Sequence, residues 1–279
     1  MTRLGVMGLL LCSTIHSYAG LEYGEQEQRW SPRSQSILNL IHNNSVAELQ
    51  RRFGQGLDPN EVFEGGFTML LWTANSRNTE AARMLIERGA KVDAVLPDGR
   101  NTLMLAAQAW NVPLADLLLQ AGIDPNARDI NGLTAAHHCV NWAKSHFIIA
   151  NLEPDQAEII KLMAQHKADV NLPDKLGRTA LMVASGFGHL PSQRLLISLG
   201  ADIDARDLKG RSALTLCALN GRDSELVMNL TKAGAKVRFM DALLLEDIDE
   251  AMDLFEEPGA ATMIGECEET TLMRAAELG

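Results

Sequence analysis

Residues 174–206 read DKLGRTALMVASGFGHLPSQRLLISLGADIDAR, and this stretch decides the fold. It begins with a tight turn, in which Gly177 is free to take a positive φ. Thr179 follows the turn, where its hydroxyl can cap the free N–H groups at a helix start. A second helix opens near Pro191, where the missing N–H costs nothing, and ends at Gly200. The stretch therefore predicts two short helices between two turns.

The same turn recurs along the chain at a nearly fixed period. Its glycine is found five times, at Gly66, Gly99, Gly132, Gly177 and Gly210. Three of the four intervals are equal, and the interval from Gly132 to Gly177 is longer. A period of about 33 residues predicts a stack of two-helix units that each contact only their neighbours. Such a stack offers an extended surface and no deep cleft, which favours a binding protein over an enzyme.

These units resemble the ankyrin repeat, whose pattern is close to D-x-x-G-x-T-P-L-H-x-A-A-x-x-G-H, then an apolar helix and G-A-D-V-N-A. Matching segments recur in register, among them Thr134 to His137, Gly122 to Asn126 and Gly89 to Asp93. The resemblance implies an all-α ankyrin-repeat solenoid of helix-turn-helix units with β-hairpin-like turns. It covers residues 34–279 in about seven repeats, and the last repeat is incomplete. The Thr-Ala-Leu-Met variant at Thr179 resembles bacterial members of the family.

Residues 1–19 have the composition of an export signal. Arg3 is basic, residues 4–15 are largely apolar, and Ala19 is a small residue of the kind that signal peptidase reads. The apolar run is too short for a membrane span, which needs about 20 residues. We expect cleavage after Ala19, a linker over residues 20–33, and a mature chain that is periplasmic or secreted. The alternative is a hydrophobic N-terminus that is not removed.

The negative charge of the chain is concentrated at its C-terminal end. The formal net charge is −11, and residues 241–279 contain 12 acidic residues and one basic residue, Arg274. This composition disfavours nucleic acid or an anionic membrane as a partner of the C-terminal end. A solvated cap on the stack is the simplest interpretation of the acidic end.

The unit that begins at Gly132 contains 12 extra residues between its helices, around Ala143 to Pro154. Asp155 then has the pattern of an N-cap, with Glu158 completing a capping box. Because an insertion of this length cannot join the regular stack, we expect it to project from the repeat. Either it folds back over a neighbouring unit, or it offers Phe147 and its apolar neighbours to a partner.

In ankyrin arrays, the turn tips and the exposed ends of the first helices bind partners along a concave face. When the tip positions of the family are carried over to this sequence, they include Ile130, Lys175, Leu176, Leu208 and Lys209, besides the arginines and Leu133 named below. Arg100, Arg178 and Arg211 share one equivalent position and should form a row along the stack. The predicted partner-binding residues are Arg100, Gln108, Trp110, Leu133, Asn141, Trp142, Phe147, Arg178, Phe187, Arg211, Leu219 and Asn220. The alternatives are that Trp110 and Trp142 pack against helices and that the arginines form a solvated edge.

The histidines and cysteines do not match a metal site. His137 falls where the repeat pattern has a histidine that bonds the adjacent turn, and His138 points in another direction. Cys139 and Cys217 replace small buried residues and lie too far apart for a disulfide. We therefore expect neither a bound metal nor a cofactor.

The sequence contains no phosphate-binding loop, nucleophile elbow or H-E-x-x-H motif, and no small-molecule substrate is evident. We expect a protein that is not an enzyme and that binds a partner protein through its concave face, in the bacterial envelope. Two alternatives remain open. The chain is a secreted effector that acts on a protein of a foreign cell, or it is the recognition arm of a longer enzyme that continues beyond residue 279.

Overall fold

A computed structural model describes residues 30–43, 45–75, 79–141, 153–219 and 224–237. The predicted export signal, most of the insertion around 143–154 and the incomplete last repeat lie outside the described residues. Twelve α-helices run through the described part. They are Pro32–His42 (α1), Val46–Gly54 (α2), Met69–Trp72 (α3), Glu80–Glu87 (α4), Thr102–Gln108 (α5), Val112–Gln120 (α6), Ala135–Asn141 (α7), Glu153–Gln165 (α8), Ala180–Phe187 (α9), Leu190–Ser198 (α10), Ala213–Leu219 (α11) and Ser224–Lys232 (α12).

The helices form six successive pairs that stack in two layers. The odd-numbered helices make one layer, in which each contacts the next from α1 to α11. The even-numbered helices make the other layer, and α6, α8, α10 and α12 contact one another in that order. The principal helix contacts therefore join adjacent units, as the repeat period predicts. The predicted all-α solenoid of helix pairs is confirmed.

Five turns precede the odd-numbered helices from α3 to α11 and have the same backbone hydrogen bonds. In the turn at 174–178, Asp174 N–H donates to Arg178 O at 2.8 Å, and Gly177 N–H donates to Asp174 O at 3.0 Å. The glycine has φ +79°. Isolated antiparallel bridges join Val62 to Thr68 and Val95 to Asn101. The turns are thus β-hairpin-like, as expected.

Side-chain caps begin the first helix of several units. Thr179 Oγ1 accepts from Met182 N–H at 3.4 Å, and Asn101 Oδ1 accepts from Met104 N–H at 2.9 Å. Pro191 lies in the first turn of α10, as predicted. These contacts satisfy N–H groups that have no partner within their own helix.

Two helix starts differ from those that the sequence indicated. α8 begins at Glu153, so Asp155 is its third residue and the prediction of Asp155 as an N-cap is wrong. α1 begins at Pro32, inside the segment expected to be a linker, with Ser31 Oγ accepting from Ser34 N–H at 3.2 Å. Both helices start earlier because a proline in the first helical turn loses no hydrogen bond.

The core lies between the two layers and consists of small and aliphatic side chains. Ala106, Ala107 and Ala184 are fully buried, which lets neighbouring helices approach closely. Cys139 and Cys217 are free and buried. Burial raises the pKa of the Cys139 thiol well above its usual range. Both cysteines are therefore small core residues, as predicted.

Candidate functional site

Three hydrogen bonds between neighbouring turns join their tips into one edge. Ile130 N–H donates to Asp98 O, Lys175 N–H to Asn131 O, and Leu208 N–H to Leu176 O, each at 2.9 Å. The donor in each bond is the residue two positions before the glycine of its own turn. The acceptor is the residue directly before the glycine of the previous turn. The backbone thereby places the tips of the last four turns side by side. A Cβ added at Gly66 would lie 2.7 Å from Pro97 Cδ, so the first turn adjoins the second. We call the row of five turns, each counted from the fourth residue before its glycine to the residue after it, the tip edge.

Two of the turns are closed by an aspartate and an arginine. Asp174 Oδ1 accepts from the N–H groups of Leu176 and Arg178, and its Oδ2 accepts from Arg178 Nε, all at 2.8 Å. Asp207 makes the same set of contacts, with Arg211 Nε at 2.8 Å from its Oδ2. The arginine side chains are 34% and 28% exposed. Both guanidinium groups thus hold their own turn and still reach solvent.

Arg100 stands at the equivalent position but is not on the surface. Its side chain is 6% exposed, its Nε donates to Asp98 Oδ2 at 2.7 Å, and its Nη1 donates to Gln108 Oε1 at 3.3 Å. The three arginines occupy equivalent positions, but Arg100 is buried, whereas Arg178 and Arg211 reach solvent. The reason is that Leu96 takes the place of Asp174 in this turn, so Arg100 bonds to Asp98 instead.

The turn at 129–133 has Leu133 where the neighbouring turns have arginine, and a histidine supplies the missing donor. His138 Nε2–H donates to Asp129 Oδ2 at 3.0 Å, and both side chains are buried. Burial by itself would raise the pKa of Asp129. The hydrogen bonds from His138 and from the N–H groups of Leu133 and Asn131 outweigh this effect and lower the pKa. The Asp129 carboxylate is therefore held in its charged form.

His137 joins two successive units. Its Nδ1 accepts from Thr134 N–H at 3.2 Å, and its Nε2–H donates to the carbonyl oxygen of Arg178 at 2.9 Å. Burial lowers the pKa of His137, which favours the neutral ring that this bonding needs. The prediction that His137 bonds an adjacent turn is confirmed.

An aromatic cluster that the sequence analysis did not single out lies at the N-terminal end of the array. The ring centroids of Trp30, Phe67 and Trp72 are 5.2 to 5.8 Å apart, and all three side chains are half-buried. Phe67 stands at the position of the turn arginines, and Trp72 at the position of His138. An alignment of the repeats could have revealed the cluster. Phe67 and Trp72 are aromatic at two positions where other units have the arginine or histidine that closes the turn.

Trp110 has a strained backbone. Its φ is +51°, and it stands where the α9 unit has Gly188 in the left-handed region. The ring is half-buried, and its Nε1–H donates to Cys139 O at 3.2 Å. A bulky residue with positive φ is an outlier that other contacts must stabilise. This placement matches the alternative given above, in which Trp110 packs against a neighbouring helix.

Of the other predicted binding residues, Gln108, Phe187 and Leu219 lie on odd-numbered helices, and Leu133 lies in a turn. Gln108, Leu133, Phe187 and Leu219 are half-buried. Asn141 is the last residue of α7, and Trp142, Phe147 and Asn220 lie outside the described residues. Whether these residues bind a partner stays a prediction.

The tip edge carries most of the large apolar side chains that reach solvent. Among the described residues, six large apolar side chains are exposed, and five of them belong to the turns. These five are Val62 (65%), Val95 (54%), Ile130 (54%), Leu176 (54%) and Leu208 (76%). The sixth, Met228, lies on α12. Val62 and Val95 were missed because they precede the tip positions to which the sequence analysis was confined.

The described residues contain no group of three or more His, Cys, Asp or Glu side chains placed to hold a metal ion. No helix in this part of the chain has the length and apolar character needed to cross a membrane. The exposed apolar side chains of the tip edge are aliphatic, and its aspartates Asp129, Asp174 and Asp207 are bonded within their own turns. Such a surface is suited to contact with another macromolecule.

Comparisons with known proteins agree with this arrangement. The family model described as ankyrin repeats (3 copies) matches residues 37–129, 112–207 and 145–241. SH3 and multiple ankyrin repeat domains protein 2 of Homo sapiens is 31% identical over 201 residues, which are 71% of this chain and 10% of that protein. A putative ankyrin repeat-containing protein of Treponema pallidum is 39% identical over 135 residues, 48% of this chain and 40% of that protein.

The palmitoyltransferase ZDHHC13 of Homo sapiens is 24% identical over 248 residues, which cover 76% of this chain and 40% of that protein. The chain therefore spans less than half the length of each of these three relatives.

Proposed function

Because the chain belongs to the ankyrin-repeat family, we propose that it is a protein–protein interaction scaffold that binds a partner protein along its tip edge and the adjoining concave face. The family model matches more than half of the chain. A stack of this kind exposes a long continuous surface, which suits recognition of another protein.

The concentration of exposed aliphatic side chains in the turns carries this proposal. Single exposed apolar residues scattered over a soluble protein are normal, whereas their concentration in one part of the fold favours an interaction surface. Here five of the six such side chains in the described ranges are in the turns. Burying them against a partner would contribute roughly 25 cal/mol for each Å² of apolar area removed from water.

Arg178 and Arg211 extend this surface toward the concave face. Their guanidinium groups are already fixed by Asp174 and Asp207, so a partner would bind them without ordering them first. A side chain held in place loses less conformational entropy on binding than a free one. Charges at the rim of an interface act mainly on association rate and specificity.

Site-specific photo-crosslinking tests the proposed surface. A benzophenone amino acid would replace Leu208 on the tip edge, and Met228 on α12 in a matched control, because both side chains are exposed. We expect a covalent adduct with a partner protein from position 208 and none from position 228, in the cells that produce the chain. Equal adducts from both positions, or none from position 208, would contradict binding along the tip edge.

We also propose that the scaffold works in the bacterial envelope after its N-terminal segment is removed by cleavage behind Ala19. The support is the basic, apolar and small-residue order of that segment. Sequencing the N-terminus of the protein recovered from the envelope fraction tests this location. A mature chain that begins at Gly20 is expected, and an intact chain in the cytosolic fraction would refute it.

A second candidate is that the array is the recognition arm of an enzyme. The observation in its favour is that the aligned segment covers only 40% of the relative named as a palmitoyltransferase. The mass of the protein in its native cell separates the two candidates. A mass well above 30.5 kDa, with peptides beyond residue 279, would favour the arm.

A further inference from the structure

The three C-terminal turns of the tip edge differ in charge from the two N-terminal ones. The turns at 128–133, 173–178 and 206–211 contain six cationic and three acidic residues, for a net charge of +3. The turns at 62–67 and 95–100 contain two acidic residues and one cationic residue, for a net charge of −1. The edge therefore has a basic half within a chain whose formal net charge is −11.

The three acidic residues of the basic half do not face solvent. Asp129, Asp174 and Asp207 are each 8% exposed or less, and each accepts hydrogen bonds from its own turn. Of the six cations, Arg128, Lys175, Arg206 and Lys209 are exposed. Because the carboxylates are buried and the cations are not, a partner at this surface meets mainly positive charge.

Aliphatic side chains lie between these cations. Leu208 N–H donates to Leu176 O at 2.9 Å, so the two leucine backbones are neighbours across adjacent turns. Lys175 comes before one leucine and Lys209 after the other. Leu176 is 54% and Leu208 is 76% exposed. The surface thus combines an apolar centre with a cationic surround.

Resting on the proposed function, we propose that the three C-terminal turns bind an extended acidic segment of the partner protein, in which carboxylates alternate with apolar side chains. The carboxylates meet the cations at the ends of the surface, and the apolar side chains cover Leu176 and Leu208. Complementary charge both speeds the encounter and selects against basic segments. Burial of the leucines supplies the main part of the affinity.

A nucleic acid is a poorer match to the same cations. Binding of single strands uses aromatic side chains on which bases stack, whereas the exposed apolar residues of these turns are Ile130, Leu176 and Leu208. An acidic peptide uses both the charges and the aliphatic side chains, so it accounts for more of the surface.

Selection from a phage-displayed library of random peptides of about twelve residues tests the proposal, with the full chain as bait. Two double variants and one control would be compared by fluorescence anisotropy with the selected peptides. The double variants are Lys175→Glu with Arg206→Glu and Leu176→Ser with Leu208→Ser, and the control is Met228→Ser on α12, outside the tip edge. All five side chains are exposed, so each variant should keep the melting temperature of the original chain.

We expect the selected peptides to be rich in Asp and Glu together with Leu, Ile or Val. The first two variants should each weaken binding by about tenfold or more, and the control by less than about twofold. Raising NaCl from about 0.05 M to about 0.5 M should weaken binding to the original chain more than binding to the charge-reversed variant.

Several results would overturn the acidic partner. One is a selection that yields no binding peptide, or peptides that are not enriched in acidic residues. Another is unchanged peptide binding by the Lys175→Glu, Arg206→Glu variant. A third is an oligothymidylate of about 20 nucleotides that binds more tightly than the selected peptides. Tighter binding of a peptide of residues 241–257 would assign the surface to the acidic end of this chain itself. Neutral peptides that the leucine variant no longer binds would refute this inference while the proposed scaffold function stands.

Discussion

One position, directly after each turn glycine, shows how single residues adapt a repeated turn. Arg178 and Arg211 hold an aspartate of their own turn, and Arg100 holds Asp98 because Leu96 leaves no carboxylate at the usual place. Where Leu133 takes this position, His138 donates to the aspartate instead. A buried carboxylate needs such a partner because an unpaired buried charge is costly.

Gly177 is the residue whose replacement tests the turn geometry most directly. Its φ is +79°, and an added Cβ would lie 2.8 Å from Leu208 N, a backbone atom of the next unit. We expect Gly177→Ala to lower the free energy of unfolding by about 2–4 kcal/mol, from the left-handed backbone and the clash together. Urea denaturation followed by circular dichroism would measure the loss.

Gly200→Ala is the matched control, because Gly200 has φ +85° and no atom within 4 Å of an added Cβ. Its loss should be limited to the backbone strain, about 1–2 kcal/mol. Equal losses for the two variants would mean that contact between adjacent turns does not restrict Gly177.

At the scale of single elements, the first helices of the units from α3 to α11 have only four to eight residues and depend on their neighbours. α3 has four residues and α5 has seven, which is too short for stability as isolated helices. Their caps and the buried faces of adjacent helices stabilise them instead. α3 is also held by the aromatic cluster, since Trp72 belongs to it and Phe67 lies just before it.

Phe67→Leu should remove two ring contacts from the aromatic cluster while keeping an apolar side chain. Aromatic pairs contribute about 0.5–1.5 kcal/mol each beyond their buried area, so we expect a loss of about 1–3 kcal/mol in the free energy of unfolding. The near-ultraviolet circular dichroism of Trp30 and Trp72 should change as well. Phe63→Leu, in the same turn, is the control that should leave this spectrum intact, because Phe63 is outside the cluster. An unchanged spectrum for Phe67→Leu would show that the rings do not pack in solution.

For the whole molecule, the stack of units predicts an elongated shape. Residues 20–279 in a compact domain would have a radius of gyration of about 18 Å. Because the principal helix contacts join neighbouring units, we expect small-angle X-ray scattering to give a value clearly above this figure. A radius of gyration equal to that of a compact domain would contradict a linear array in solution.

The sequence determined the repeating part of this protein because the interactions that define one unit are local. The glycine turns, the cap at Thr179 and the proline at the start of α10 each depend on residues a few positions apart. A turn that needs positive φ is visible in the sequence as glycine. The order of helices and their pairing therefore followed from the period of the turn glycines.

Only the tertiary structure decided which of the repeated positions face solvent. Arg100, Arg178 and Arg211 are equivalent in the sequence, yet the first is buried, because the location of the nearest carboxylate differs between the turns. The pairing of His138 with Asp129, the contact of Trp30 with Trp72 and the bond from Trp110 to Cys139 O join residues that are 9, 42 and 29 positions apart. Such contacts depend on how side chains of different elements meet, and the period of the sequence does not specify them.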